Sequence, residues 1–273
     1  MTNPIADISV PELSRRIALL ERQEVGRSAL DVCTLTMDLR HQYRRALVAR
    51  DQAALALVTR ERWTAADVAE VICGHRACAP RAAVILEWTG LTPDDGTARD
   101  LADRQQIAEQ LRELLSLAYD KALRLIPAAP VDLNLPAEPT ARLAYCAHWL
   151  RFVDGYRAAN EASRILFAAI LVHHHGWPVP DVAALGGVTT DEVSAALAAA
   201  AASPPSDADS GLLAQLALLD RVLEHNTERL LAVRDRALAD SLADGVPERI
   251  VAAHIGTPDQ ERSAAHTMEP CPA

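Results

Sequence analysis

Residues 179–197 read VPDVAALGGVTTDEVSAAL, and this stretch has the clearest structural pattern in the chain. An apolar segment is followed by the pair Gly186 and Gly187, and then by a second apolar segment that two threonines open. Two short helices joined by a glycine turn have this order of residues, an arrangement called helix-turn-helix. The stretch therefore predicts two short helices with the turn at the glycines.

The rest of the chain also has the spacing of apolar residues that is typical of α-helices. Half of its 273 residues are hydrophobic, only 4% are aromatic, and no run of alternating β-branched residues predicts a strand. We predict long amphipathic helices at 28–58, 97–125, 141–175 and 212–242, and shorter helices at 11–23, 65–72, 81–88, 247–255 and 258–266. The pattern leaves open whether 28–58 is one helix or two and whether 141–175 is interrupted at 154–155. The predicted fold class is all-α, with no sheet.

Two proline-rich segments divide the chain. The segment IPAAPVDLNLPAEPT holds four prolines and cannot be helical throughout, and SPPSDADSG has the composition of a linker. We predict linkers at 127–140 and 204–211, which separate three helical domains at 1–126, 141–203 and 212–273.

A weak repeat predicts one helix-turn-helix-like unit in each domain. A long helix, a small turn and a short helix with a Val-Ala pair recur in RERWTAADVAEVI (60–72), HHGWPVPDVAALG (174–186) and ADGVPERIVAAHIG (243–256), with Trp63, Trp177 and Val246 at the corresponding position. These positions are 114 and 69 residues apart, so the repeat has no fixed period. Two interpretations stay open: a coincidence of alanine-rich composition, or two or three related units.

The charge distribution limits the functions that the chain can have. Its formal net charge is −10, but residues 1–90 hold 12 arginines and 11 acidic residues. Residues 91–203 hold 9 basic and 14 acidic residues, and residues 204–273 hold 6 and 12. This balance argues against a general nucleic-acid coat protein, and the N-terminal third repels DNA least.

Features that would indicate secretion or a membrane location are missing from the sequence. The N-terminal residues MTNPIADISV lack a basic region and an apolar region, and the most apolar run, 165–172, is too short to span a bilayer. The five cysteines are an odd number and are widely spread. We therefore expect a soluble cytoplasmic protein with reduced cysteines and no membrane partner.

The middle unit, at 162–197, resembles helix-turn-helix regulators of the sigma-like and repressor-like kinds. In those families an alanine lies in the middle of the first short helix, a glycine takes the turn, and apolar residues flank both. Ala183, Gly187 and Val193 match these positions. Gly186 departs from the pattern, because a large apolar residue is usual there.

This resemblance implies a DNA-reading surface that starts at Thr189 and Thr190. Threonine hydroxyls can bond to phosphates or bases, and an acidic side chain can accept a hydrogen bond from cytosine. Asp191 and Glu192 follow directly, however, and a duplex is polyanionic. Three roles stay open for the unit: reading of DNA, docking of a protein, or packing without any ligand.

The third unit, at 231–266, resembles the C-terminal helix-turn-helix of small actinobacterial DNA-binding proteins. Gly256 fits the turn of that pattern, whereas Arg262 stands where an apolar residue is usual. The resemblance implies that Gln260 and Arg262 contact bases or phosphates, and that Arg249 contacts phosphates.

The first unit, at 60–90, has the most favourable charge for DNA. Its predicted phosphate contacts are Arg60, Arg62, Arg76 and Arg81. The turn CGHRACA is longer than that of a standard helix-turn-helix. Cys73, His75 and Cys78 in this turn could supply three metal ligands, or they are packed cysteines beside a surface histidine.

We predict no catalytic residue, metal or cofactor. The sequence contains no P-loop, GxGxxG, HExxH or GxSxG string. Three consecutive histidines, 173–175, point about 100° apart on a helix, so they are interpreted as a polar helix end.

The leading hypothesis is a sequence-specific DNA-binding transcriptional regulator, not an enzyme. The alternative is an acidic, all-helical interaction module without direct DNA contact, which forms a homodimer through its long helices or docks a partner such as a sigma factor. A third hypothesis is a ligand-binding bundle or an enzyme with a cavity lined by Tyr145, Cys146, His148, Arg151 and Tyr156.

Overall fold

The computed structural model describes residues 5, 7–20, 25–128, 135–205 and 208–255. Within these ranges all regular secondary structure is helical and no strand occurs, which confirms the predicted all-α class. The helices are α1 (Val10–Leu19), α2 (Val25–Glu61), α3 (Ala65–Cys73), α4 (Ala79–Glu87), α5 (Ala98–Ala128), α6 (Pro139–His175), α7 (Val179–Gly186), α8 (Thr190–Ala195), α9 (Leu197–Ala201), α10 (Ser210–Ala243) and α11 (Glu248–Ile255). A 3₁₀ turn, Arg76–Cys78, precedes α4.

Four long helices form a bundle. α2, α5, α6 and α10 contain 37, 31, 37 and 34 residues, so each is about 45–55 Å long. α2 packs against α5, α5 against α10, and α10 against α6. α2 and α6 meet through side chains, since the Thr36 hydroxyl lies 2.7 Å from the Tyr156 hydroxyl and Arg40 donates to Ser163.

The two open questions about helix continuity have clear answers. The segment predicted at 28–58 belongs to the single helix α2, and α6 continues through 154–155 without interruption. A glycine inside a helix costs about 1 kcal/mol relative to alanine. Val153 and Asn160 on either side of Gly155 are buried, so tertiary packing holds the helix together at this point.

One hydrophobic core contains residues from all three predicted domains. Its almost fully buried members include Leu39 of α2, Leu111 of α5, Ile170 of α6, Val193 of α8 and Leu219 of α10. The boundaries at 127–140 and 204–211, parts of which lie outside the described residues, stay predictions.

The apolar stripes of the long helices face one another within the chain. Leu39, Leu115 and Leu223 are 0% exposed. A second copy of the chain therefore cannot pack against these stripes without opening the bundle. A homodimer through the long helices stays a prediction that would need other surfaces.

Three helices begin with the same cap, in which a threonine and an acid exchange hydrogen bonds. At Thr64–Asp67, Thr97–Asp100 and Thr189–Glu192 the threonine hydroxyl accepts from the acid's backbone N–H at 3.2 Å, and the carboxylate accepts from the threonine N–H. This exchange satisfies two amides that a helix leaves without partners. Hydrogen bonds from the threonine hydroxyl and amide also lower the pKa of all three acids.

None of the helices in the described ranges combines the length and the apolar character that crossing a membrane requires.

Candidate nucleic-acid interface

The three segments of the weak repeat share one backbone joint at the end of a long helix. α2, α6 and α10 are each followed by a residue in the left-handed conformation, namely Arg62 (φ 62°), Gly176 (φ 69°) and Gly245 (φ 77°). The next residue donates its N–H to a carbonyl five or six positions earlier, in the pairs Trp63 to Leu57 (3.4 Å), Trp177 to Leu171 (3.2 Å) and Val246 to Ser241 (3.0 Å). Such bonds are typical of helix C-terminal caps. The repeat is therefore one of backbone geometry as well as of sequence.

Arg62 is the exception among these three left-handed residues, because the other two are glycines. A left-handed conformation costs a residue with a Cβ atom about 1–2 kcal/mol, whereas glycine adopts it freely. Glycine also loses more conformational entropy on folding. We expect Arg62→Gly to raise the free energy of unfolding by about 0.5–1 kcal/mol.

Urea unfolding followed by circular dichroism measures this change. Arg60→Gly is the matched control, because Arg60 lies two residues earlier inside α2. There glycine should lower the free energy of unfolding by about 0.5–1 kcal/mol. Destabilisation of similar size by both substitutions would contradict the strain at Arg62.

The first unit presents three arginines whose charge is available to a ligand. Arg60, Arg62 and Arg81 are exposed and make no hydrogen bond or ion pair with any residue in the described part of the chain. Arg76, the fourth predicted contact, lies 3.1 Å from Asp67 and 2.8 Å from Glu70, both in α3. Its charge is therefore already balanced within the unit.

In the middle unit the glycine turn lies where the sequence predicts it. α7 ends at Gly186, Gly187 follows it with a φ of 60°, a left-handed conformation that favours glycine, and α8 begins at Thr190. The Thr189 hydroxyl is occupied by the cap with Glu192, while Thr190 and Asp191 are exposed. The acidic start of α8 is therefore explained by capping, and it leaves a negative charge where a DNA-reading helix would meet phosphates.

Arg164 of α6 anchors the middle unit to the bundle. Its side chain is 5% exposed. One guanidinium nitrogen donates to the carbonyls of Gly186 and Gly187 at 2.7 and 2.9 Å, and the other lies 3.0 Å from Asp220 of α10. The α7–α8 turn is thus held by both α6 and α10.

Gly186, where the helix-turn-helix families usually have a large apolar residue, is explained by steric contact. A Cβ atom added to Gly186 would lie 3.1 Å from Cδ1 of Leu213 in α10. Leu213 is 0% exposed and fills the space that a large residue at position 186 would otherwise occupy.

In the third unit the end of α10 and the short helix α11 lie within the described residues. Val251 of α11 packs with Leu143 of α6 and Ala237 of α10 in a small separate cluster. Arg249 is exposed on α11. Gln260 and Arg262 lie outside the described residues, so their contacts with DNA stay predictions.

The histidine and cysteine motifs make hydrogen-bond contacts within the chain. In the described part of the chain no group of three or more His, Cys, Asp or Glu side chains could hold a metal ion. Cys78 Sγ lies 3.8 Å from Nε2 of His75. His174 donates to the carbonyls of Ala200 and Ser203 at 3.0 and 3.1 Å, and His175 to that of Pro205 at 2.8 Å. Burial lowers the pKa of His175, which favours its neutral form.

Asn160 and Arg164 are functional candidates that motifs and net charge do not identify. Both are polar residues that α6 buries in the bundle. The signal in the sequence is their spacing: Asn160, Ser163, Arg164 and Phe167 follow the i, i+3, i+4, i+7 pattern of a buried helix face.

The chain matches no protein family, no curated protein and no solved structure. Inference about its function therefore depends on its own residues and their geometry.

Proposed function

We propose that the protein is a DNA-binding transcriptional regulator that contacts the phosphates of double-stranded DNA with the arginines around α3 and α4. The observation that carries this proposal is the set of three exposed arginines without an ion pair in the described structure, Arg60, Arg62 and Arg81. Phosphate contacts from arginine supply most of the non-specific affinity of proteins for DNA.

The backbone at Arg62 gives further support. Glycine stands at the equivalent position of the other two joints, so an arginine here lowers stability and keeps a positive charge at the start of the unit. Arg81 is in the first turn of α4, the helix that corresponds to the base-reading helix of this arrangement. Arg249 is a further candidate for a phosphate contact.

Acidic residues in the same unit limit the affinity that these arginines can provide. Arg60 and Arg62 precede α3, and Arg81 lies in the first turn of α4. Because Glu61 and Glu87 are also exposed in the unit, we expect a dissociation constant no tighter than about 10⁻⁶ M at physiological salt.

The test is an electrophoretic mobility shift with a duplex of mixed sequence at low and raised salt. We expect the wild-type chain to shift the duplex at low salt, with a slope of log K against log salt of about −2.7 for three phosphate contacts. The variant Arg60→Ala/Arg62→Ala/Arg81→Ala should lose at least about tenfold in affinity and most of that slope.

A second triple variant controls for net charge. Arg99, Arg221 and Arg236 are exposed on α5 and α10, so Arg99→Ala/Arg221→Ala/Arg236→Ala removes the same charge from elsewhere on the surface. This variant should bind DNA like the wild type. Equal loss in both variants would mean that only net charge matters, and the absence of any wild-type shift at low salt would refute the proposal.

Protein docking by the middle unit is the second candidate function. Asp191 is exposed in the first turn of α8, and Trp177, 39% exposed, lies at the joint before α7. An exposed acidic residue and an exposed tryptophan in one unit suit a basic protein surface better than a phosphate backbone. The mobility shift separates the two functions, because a chain that binds only protein leaves the duplex unshifted.

A further inference from the structure

A cavity of about 260 Å³ opens between α2, α3, α4 and α5, close to the start of α10. A cavity of about 150 Å³ accommodates benzene, so this one has room for a molecule of the size of leucine or phenylalanine. Its lining residues include the apolar Leu47, Ile72 and Ile85 and the polar Tyr43, Arg81 and Glu109. We call it the Tyr43 cavity.

The Tyr43 cavity is separate from a second cavity of about 260 Å³ between α2, α5, α6 and α10. Tyr156 lines that second cavity, whereas the other four residues of the third hypothesis, Tyr145, Cys146, His148 and Arg151, are not among its lining residues. The five residues of that hypothesis therefore do not line the second cavity together.

Tyr43 lines the Tyr43 cavity, and its hydroxyl has no hydrogen-bond partner among the described residues. The residue is 8% exposed, and its oxygen is not one of the fully buried atoms without a partner, so a molecule in the cavity can contact it. Burial and the negative charge of Asp209 raise the pKa of Tyr43, so the hydroxyl is protonated at physiological pH. Nearly all buried polar groups in proteins have a partner, and a bound molecule would supply one here.

Two arginines that line the cavity already have acidic partners within the chain. Arg50 is 6% exposed and lies 2.6 Å from Asp51, and another of its nitrogens donates to the side chain of Gln105 at 3.1 Å. Arg112 lies 2.9 Å from Asp209, whose second oxygen caps the start of α10. The charges of these two pairs are therefore balanced before any ligand binds.

One positive and one negative charge of the cavity have no ion pair within the described residues. Arg81, in the first turn of α4, makes no hydrogen bond there, and Glu109 of α5 accepts one from Nε2 of Gln105 at 2.7 Å. Arg81 and Glu109 line the same cavity without pairing with each other. A molecule that carries both charges complements this arrangement, whereas an anion is repelled by Glu109 and a cation by Arg81.

We propose that the Tyr43 cavity binds a free α-amino acid with an apolar side chain. The carboxylate of the amino acid faces Arg81 and the Tyr43 hydroxyl, and its ammonium group faces Glu109. Leu47 and Ile85 supply apolar contact for its side chain. Arg81 is also one of the three proposed phosphate contacts, but the test below contains no DNA, so either proposal can fail without the other.

Isothermal titration calorimetry of the full chain tests the ligand class. The probes are L-valine, L-leucine, L-methionine and L-phenylalanine, each with the acid that lacks its ammonium group and the amine that lacks its carboxylate. For leucine these analogues are isocaproate and isoamylamine. We expect at least one amino acid to bind at least about tenfold more tightly than both of its analogues, because each analogue leaves one charged group of the cavity without a partner. Glycine should bind more weakly than that amino acid, because it lacks the apolar contact.

Two substitutions assign the contacts. Tyr43→Phe keeps the ring and removes the hydroxyl, so it should weaken the amino acid and the acid several-fold without changing the affinity for the amine. Glu109→Gln removes the negative charge, so the amino acid and the acid should bind it with similar affinity. Glu113→Gln is the control, because Glu113 is exposed one turn along α5 and does not line the cavity. This variant should bind all probes like the wild type.

Two results would overturn the proposal. One is that the wild type binds none of the four amino acids at millimolar concentration, and the other is that it binds each acid as tightly as the corresponding amino acid. Circular dichroism checks the folding of Tyr43→Phe and Glu109→Gln. If either variant does not fold, the comparison of probes on the wild type still decides the outcome.

Discussion

Replacing Arg164 by alanine is expected to lower the free energy of unfolding by about 3–5 kcal/mol, because removal of one partner of a buried ion pair leaves the other uncompensated. The substitution removes the donors to the carbonyls of Gly186 and Gly187 and the closest partner of Asp220. Arg157 lies 3.5 Å from the same carboxylate and keeps part of its compensation. The lower end of the range is therefore expected.

Arg157→Ala is the matched control for this prediction. The Arg157 side chain is 31% exposed and also pairs with Asp220, but loss of such a partly exposed pair typically costs no more than about 1 kcal/mol. Chemical denaturation measures both variants, and hydrogen exchange of the amides at 183–189 reports on the α7–α8 turn. Equal destabilisation by both variants would show that Arg164 has no special anchoring role.

The second large effect is expected at Leu219 of α10. This residue is 0% exposed in the core that α10 shares with the other long helices. Truncation of a buried leucine to alanine costs about 2–5 kcal/mol, from lost apolar contact and from the cavity that remains. We expect Leu219→Ala to lower the free energy of unfolding by this amount.

Leu218 provides a control one residue away on the same helix. It is 42% exposed, so Leu218→Ala should change the free energy of unfolding by no more than about 0.5 kcal/mol. Thermal and urea unfolding of the two variants checks the difference. A comparable loss of stability in both variants would mean that the Leu218 side chain is also buried in the folded protein.

The helices were predictable because their signals are local. The apolar spacing of 97–125 and 212–242 marks α5 and α10, and the two threonines at 189–190 mark the start of α8. Gly187 marks a turn because its left-handed backbone favours glycine.

The candidate sites depend on contacts that local patterns do not contain. Arg76 has the same charge as Arg60 and Arg81, and only the folded unit shows that Asp67 and Glu70 balance it. The cavity between α2, α5, α6 and α10 is lined by residues that are far apart in sequence, so only the folded chain brings them together. The positive φ of Arg62 is equally hidden, because the residue type gives no sign of it.

The position of Asn160 and Arg164 on one helix has a mechanical consequence. They are four residues apart on α6, so the helix holds them at a fixed separation of about 6 Å along its axis. Asn160 lines a cavity between α2, α5, α6 and α10, and Arg164 donates hydrogen bonds to the carbonyls of Gly186 and Gly187 in the α7–α8 turn. A sliding movement of α6 would therefore displace the cavity wall and the α7–α8 turn by the same distance.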